Sequence, residues 1–213
     1  MVILAFVSRM AGPSKAIFEW RCEHLLQKVE IAVDIKPVAF TVDTGYSMAQ
    51  LTKQFPPDAA AVVLGITEAN LYKNITLINP GFVQPETGRV CVRPKLKVSL
   101  SFQPMTVYIA GNFPKKTCKY DEIFAHEMRH VKAYQEFLPT IGQNVVQQLH
   151  TAIGDGVYYF SGEDEARASF EKTITSMLMP FLNKQLEQVE KTQRGIDTPE
   201  EYDRLSNVCL DAA

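Results

Sequence analysis

The stretch "IFAHEMRHVKAYQEF", residues 123–137, decides the reading of this chain. Its apolar positions recur at helical spacing. Asp121 and Glu122 precede it, where the positive end of a helix dipole favours acidic residues. Residues four apart on a helix share one face, one turn above the other. His126 and His130 therefore project together and can share one metal ion. Glu127, rotated about 100° from His126, reaches beside such an ion rather than onto it. A carboxylate there can take a proton from a bound water. The residues match H-E-x-x-H at every fixed position.

Two histidines leave a ligand set incomplete, because catalytic zinc usually has three protein ligands and one position open to water. Glu163, in "SGEDEARASFE", opens a predicted helix and is the first candidate for the third place. Glu165 and His150 are its rivals.

On these residues the chain resembles the zincin metallopeptidases, specifically the glutamate-liganded group called gluzincins. In several such families the third ligand is the Glu of E-x-x-[AS]-[DN]. Glu163 with Ala166 keeps that register, while Arg167 stands where Asp or Asn is usual. The resemblance covers roughly residues 105–175 and also extends to uncharacterised bacterial metallopeptidase-like proteins. It implies zinc held by His126, His130 and Glu163, with Glu127 as the general base of peptide-bond hydrolysis. Two other readings stay open: a non-peptidase metal hydrolase, and a binding or structural protein with a non-catalytic metal.

Outward from the motif, the N-terminal half reads as mixed. A helix is predicted over 14–30 with Ser14 as cap, and strand over 31–45, broken or edged at Pro37. A short helix over 47–55 follows. Strand-like runs are predicted at 60–66, 74–78, 89–94, 95–102 and 105–111, with "NPGF" and "PETG" as turns. From Tyr120 the pattern turns helical. One helix is expected to end at Pro139, a second to run over 141–153, a third over 163–179. Pro180 is expected to kink or break the third before it resumes to Gly195. Residues 154–162 read as loop or short strand. A last helix over 198–210 has Pro199 in its first turn. The expected architecture is one α+β domain over residues 1–213, with a zincin-like core, a β-rich N-terminal half and a C-terminal helical extension over 181–213.

The chain has 213 residues, 22 basic against 24 acidic, for a net charge of −2. This balance gives no electrostatic footprint for nucleic acid. No stretch is apolar enough to span a bilayer, and the partner that the zincin resemblance implies is a peptide or protein substrate. Oligomeric state is not legible. Residues 1–13 read as a frayed end, a first strand or the remnant of a secretory signal. Four cysteines, none in a CxxC pair, suit disulfides and a periplasmic or secreted protein, with reduced buried thiols in a cytoplasmic one as the alternative. Cys91 and Cys118 bracket the β-rich stretch and are expected to pair. Asn74 opens a glycosylation sequon of the kind common by chance. Tyr158 and Tyr159 are candidates for oxyanion stabilisation or simple packing. His24, Arg129 and Lys132 read as surface residues. The strand "MTVYIAG" is either an edge that could pair with a substrate backbone or an interior strand.

Overall fold

The computed structural model describes residues 15–57 and 62–209. The predicted cap Ser14, the N-terminal stretch and the start of the run at 60–66 lie outside them. The architecture is α+β, in the order α1 (Lys15–Leu25), β1 (Glu30–Ile35), β2 (Thr41–Asp43), α2 (Met48–Gln54), β3 (Gly65–Ile78), β4 (Gly81–Val83), β5 (Val90–Val92), β6 (Lys95–Ile109), α3 (Cys118–Ile153), β7 (Tyr158–Phe160), α4 (Glu163–Ile196) and α5 (Pro199–Asn207). The chain divides into two compact units. One draws on residues up to 35, 73–100 and 141–184, the other on 36–72, 101–140 and 185 onward.

In the first unit, α1 turns Phe18 and Cys22 inward, where they cluster with Leu26 and Cys91; Phe82 and Val157 pack against them. A Cys22–Cys91 disulfide closes this core. The strands β4, β5 and β7 form an antiparallel sheet. Gly81 sits opposite Val92 there, and a Cβ at Gly81 would fall 2.2 Å from the Cys91 carbonyl oxygen, so only glycine fits. The start of β6 pairs in parallel with β1, from Glu30↔Lys95 to Ile35↔Leu100. The body of α4 buries Ala166, Phe170, Ile174, Leu178 and Leu182, one residue per turn along a single stripe.

In the second unit, the end of β6 pairs in parallel with β2 from Thr41↔Thr106 to Asp43↔Tyr108. Ser47 caps α2 in a full capping box with Gln50. A second disulfide, Cys118–Cys209, links the first residue of α3 to the segment after α5. The expected pair Cys91–Cys118 is thus replaced by two others. Cys91 is buried in β5 against α1, and its partner is fixed by that packing rather than by nearness in sequence.

Four predicted interruptions do not divide their elements. The helix α3 continues through Pro139 and α4 through Pro180. Both prolines are exposed, as are Gln135 and Ser176 one turn earlier, so each carbonyl that loses its amide partner can turn to water. The runs 95–102 and 105–111 belong largely to one strand, β6. Its buried apolar positions are Leu96, Val98, Leu100 and Phe102, then Met105, Val107 and Ile109. The phase changes by one residue at Gln103–Pro104, which makes one strand read as two. The runs at 60–66 and 74–78 likewise meet in β3, and the "NPGF" turn gives way to β4 at Gly81. Because β6 pairs with β1, β2 and β3, "MTVYIAG" is interior and cannot itself accept a substrate strand.

Candidate metal centre

The second unit concentrates buried polar groups. His126, Glu127 and His130 are 4%, 2% and 7% exposed on α3, a helix face that otherwise buries Ile123, Val131 and Leu138. Burying such groups is costly unless each finds a partner.

The partners of the two histidines come from the end of α4 and from α5. Asp197 follows the last residue of α4 and precedes Thr198, the N-cap of α5. Its Oδ1 lies 3.1 Å from His126 Nε2 and 3.1 Å from His130 Nε2, and the two Nε2 atoms are 3.2 Å apart. With both imidazoles neutral and protonated on Nδ1, these three atoms are all acceptors. Protons or a cation must therefore lie among them. The edges of the triangle are close to the roughly 3.3 Å that separates ligands of a tetrahedral ion bonded at about 2.0–2.1 Å. His126, His130 and Asp197 thus form a group able to hold a metal.

The far nitrogens decide which tautomer each ring adopts. His130 Nδ1 lies 2.5 Å from Gln193 Oε1 and donates to it. His126 Nδ1 lies 3.2 Å from Glu201 Oε1 and 2.5 Å from Arg129 Nη2. An ion at Nε2 requires the proton on Nδ1, which would donate to Glu201; the Arg129 guanidinium, which can only donate, would then turn from Nδ1 to Glu201, with which it already pairs. Arg204 also binds Glu201, at 2.8 Å and 3.1 Å, and reaches Glu122 at 2.7 Å.

The charges follow from these contacts. The Glu201 carboxyl is held down to about 2, first by its bonds from Arg204 and then, against its desolvation, by His126 and Arg129. Desolvation alone would raise Asp197; hydrogen bonds from both histidines outweigh it and hold the carboxyl far below the ordinary range. Desolvation works against the charged form of His130, but its bond to Asp197 and the charges of Glu127 and Asp197 prevail and raise its pKa. Glu127 moves the other way from Asp197. Its burial pushes the carboxyl up, against the pull of both histidines and of a hydroxyl. That hydroxyl is Thr67 on β3, which donates to Glu127 Oε2 at 2.8 Å. Gly65 clears the space beside the other oxygen, since a Cβ there would fall 2.7 Å from Glu127 Oε1.

His126, His130 and Glu127 are therefore brought together as the sequence predicts, while the expected third ligand is not among them. Glu163 opens α4 in the first unit, and the carboxylate grouped with the histidines is Asp197. The rivals take other roles. Glu165 Oε2 accepts from the Ser161 amide at 2.8 Å and from its hydroxyl at 2.5 Å, capping α4. His150 lies in the last turn of α3, where its carbonyl accepts the amide of Gly154 (φ 63°). Tyr158 packs edge-on to Phe170, and Tyr159 lies against Phe18 and Arg89. His24 stacks on Trp20, and Lys132 pairs with Glu136. Arg129, read as surface, is part of the centre. Asp197, Glu201, Gln193 and Thr67 are the residues the sequence reading missed. The departure at Arg167 was one available signal, and the helix start "DTPEE" at Asp197 was another.

Comparison with known protein families, curated proteins and solved structures finds no match for this chain.

Proposed function

We propose that this protein is a zinc-dependent hydrolase whose substrate is a peptide bond. The observation that carries the reading is the convergence of His126 Nε2, His130 Nε2 and Asp197 Oδ1 beside a buried carboxylate that belongs to none of the three. A purely structural ion needs no base next to it, and Glu127 would be a costly ornament there. Two imidazoles and a carboxylate suit zinc, and three protein ligands leave a fourth position for water.

Zinc in this position would polarise the scissile carbonyl and make a bound water acidic. Thr67 holds Glu127 Oε2, which leaves Oε1 to accept the water's proton. The raised affinity of Glu127 for a proton suits a group that must take one and hand it to the leaving amine. With their protons on Nδ1, the rings would be held by Glu201 and Gln193 with both Nε2 lone pairs inward. The strand β3, which carries Thr67, has β6 as its one strand partner among the described residues, so its other edge can receive an extended substrate backbone. The two disulfides fit an oxidising compartment, periplasmic or extracellular. Among the described residues no helix is long and apolar enough to cross a membrane.

Glu127→Gln tests the chemistry, because it keeps the shape and loses the proton acceptor. Peptide cleavage should fall by at least about 100-fold while bound zinc and the fold persist. Cleavage at the wild-type rate would refute the mechanism, and cleavage of only non-peptide substrates by the wild type would move the site to another class of hydrolase.

A further inference from the structure

The centre is assembled from one long helix and a remote C-terminal segment, and the second part is fastened by more than its ligands. Asp197 and Glu201 both lie within five residues at the α4–α5 junction. The other end of α5 is anchored to the start of α3. The Lys119 ammonium donates to the carbonyls of Leu205, of Ser206 at 2.9 Å and of Val208 at 3.4 Å, the acceptors that a helix end leaves unpaired. Arg204 bridges Glu201 to Glu122 of α3. Cys209, just beyond, is bonded to Cys118. Each of these contacts joins the segment 197–209 to the first turns of α3, on the same helix as His126 and His130.

We propose that residues 197–209 are a positioning arm for the metal centre, with Glu201 as the residue that orients His126 and Cys118–Cys209 as the clip that keeps the arm in register. The inference rests on the metal reading above and adds to it a cause. Metal affinity depends on a covalent bond that none of the ligands makes. The fixed arm presents Asp197 and Glu201 already in place, so less ordering is needed when an ion binds. The Cys22–Cys91 disulfide shares no residue with the centre and belongs to the first unit, which makes it an internal control.

The test uses the full chain and Zn²⁺ alone as probe, with affinity read by competition against a chelating dye. Four variants are compared with wild type: Cys118→Ser/Cys209→Ser, Cys22→Ser/Cys91→Ser, Glu201→Ala and Glu201→Gln. The first should bind zinc at least about tenfold more weakly, and the second within about threefold of wild type. Glu201→Ala should lose about 10–100-fold, the range for outer-shell partners of a metal ligand. Glu201→Gln should recover most of it, because its side-chain carbonyl still accepts from His126 Nδ1. Wild-type affinity in Cys118→Ser/Cys209→Ser overturns the clip while leaving the metal reading intact. Should that double variant fail to fold, the Glu201 pair decides. An alanine variant as tight as wild type, or a glutamine variant as weak as alanine, overturns the arm. No zinc binding by the wild type itself would remove the metal reading and the arm with it.

Discussion

The two units each carry one disulfide, and they use it differently. In the first, Cys22–Cys91 sits in an apolar cluster with Phe18 and Leu26, and the one buried polar residue among those described is Gln84. In the second, the buried polar residues are Ser101, His126, Glu127 and His130, and Cys118–Cys209 fastens the segment whose Asp197 and Glu201 pair with the two histidines. The first unit is built as a small protein builds stability, from apolar burial and a cross-link. The second accepts buried ionisable groups, which weaken a fold unless partnered. The contrast teaches where to look for chemistry: a function is the simplest reason to keep two histidines and a glutamate inside.

The largest expected effect breaks the first half of that comparison. Removing Cys22–Cys91, which closes a loop across 69 residues of sequence, as Cys22→Ala/Cys91→Ala should lower unfolding free energy by about 4 kcal/mol. Denaturant titration measures it, and zinc affinity in the folded fraction should stay unchanged. A change in zinc affinity as large as that in stability would erase the division of labour between the disulfides.

The next effect concerns the ligand set. Asp197→Ala should weaken zinc by at least about 100-fold, above the 10–100-fold that outer-shell partners cost, while Glu163→Gln should leave it within error. Chelator competition separates the two. Zinc lost from Glu163→Gln and kept by Asp197→Ala would restore the third ligand that the family register implies.

The smallest effect lies in the first unit, at the exposed N-terminus of α4. The Glu165 carboxyl is held below its ordinary pKa, chiefly by the Ser161 hydroxyl and also by the Ser161 amide. A carboxyl lowered by folding stabilises above its unfolded pKa, about 4.3, and that stabilisation is lost as the pH falls through the folded value. The stability difference between wild type and Glu165→Ala should therefore be flat near neutrality and vanish in acid. A difference that grew as the pH fell would contradict the cap.

Much of this was legible from local pattern. The spacing of His126, Glu127 and His130 marked their shared helix, and the runs 47–55 and 198–210, the second with Pro199 in its first turn, read as the two shorter helices found there. What was not legible depended on distant partners or on which way a residue faces. Pro139 read as a stop and Pro180 as a kink or break because a sequence does not say that they face water. The phase change at Gln103–Pro104 split one strand in two. The cysteine pairs depend on packing between elements 69 and 91 residues apart in sequence. Asp197 was missed for the same reason. It lies 67 residues beyond His130, past a continuous 34-residue helix, and nearness in sequence favoured Glu163.

The most direct test of the centre is a crystal structure of the zinc-loaded protein measured at the zinc absorption edge. One anomalous peak per chain is predicted, at about 2.0–2.2 Å from His126 Nε2, His130 Nε2 and a carboxylate oxygen of Asp197, with Glu127 within reach of the remaining position. A peak ligated by Glu163, or full zinc occupancy away from both imidazoles, would contradict it.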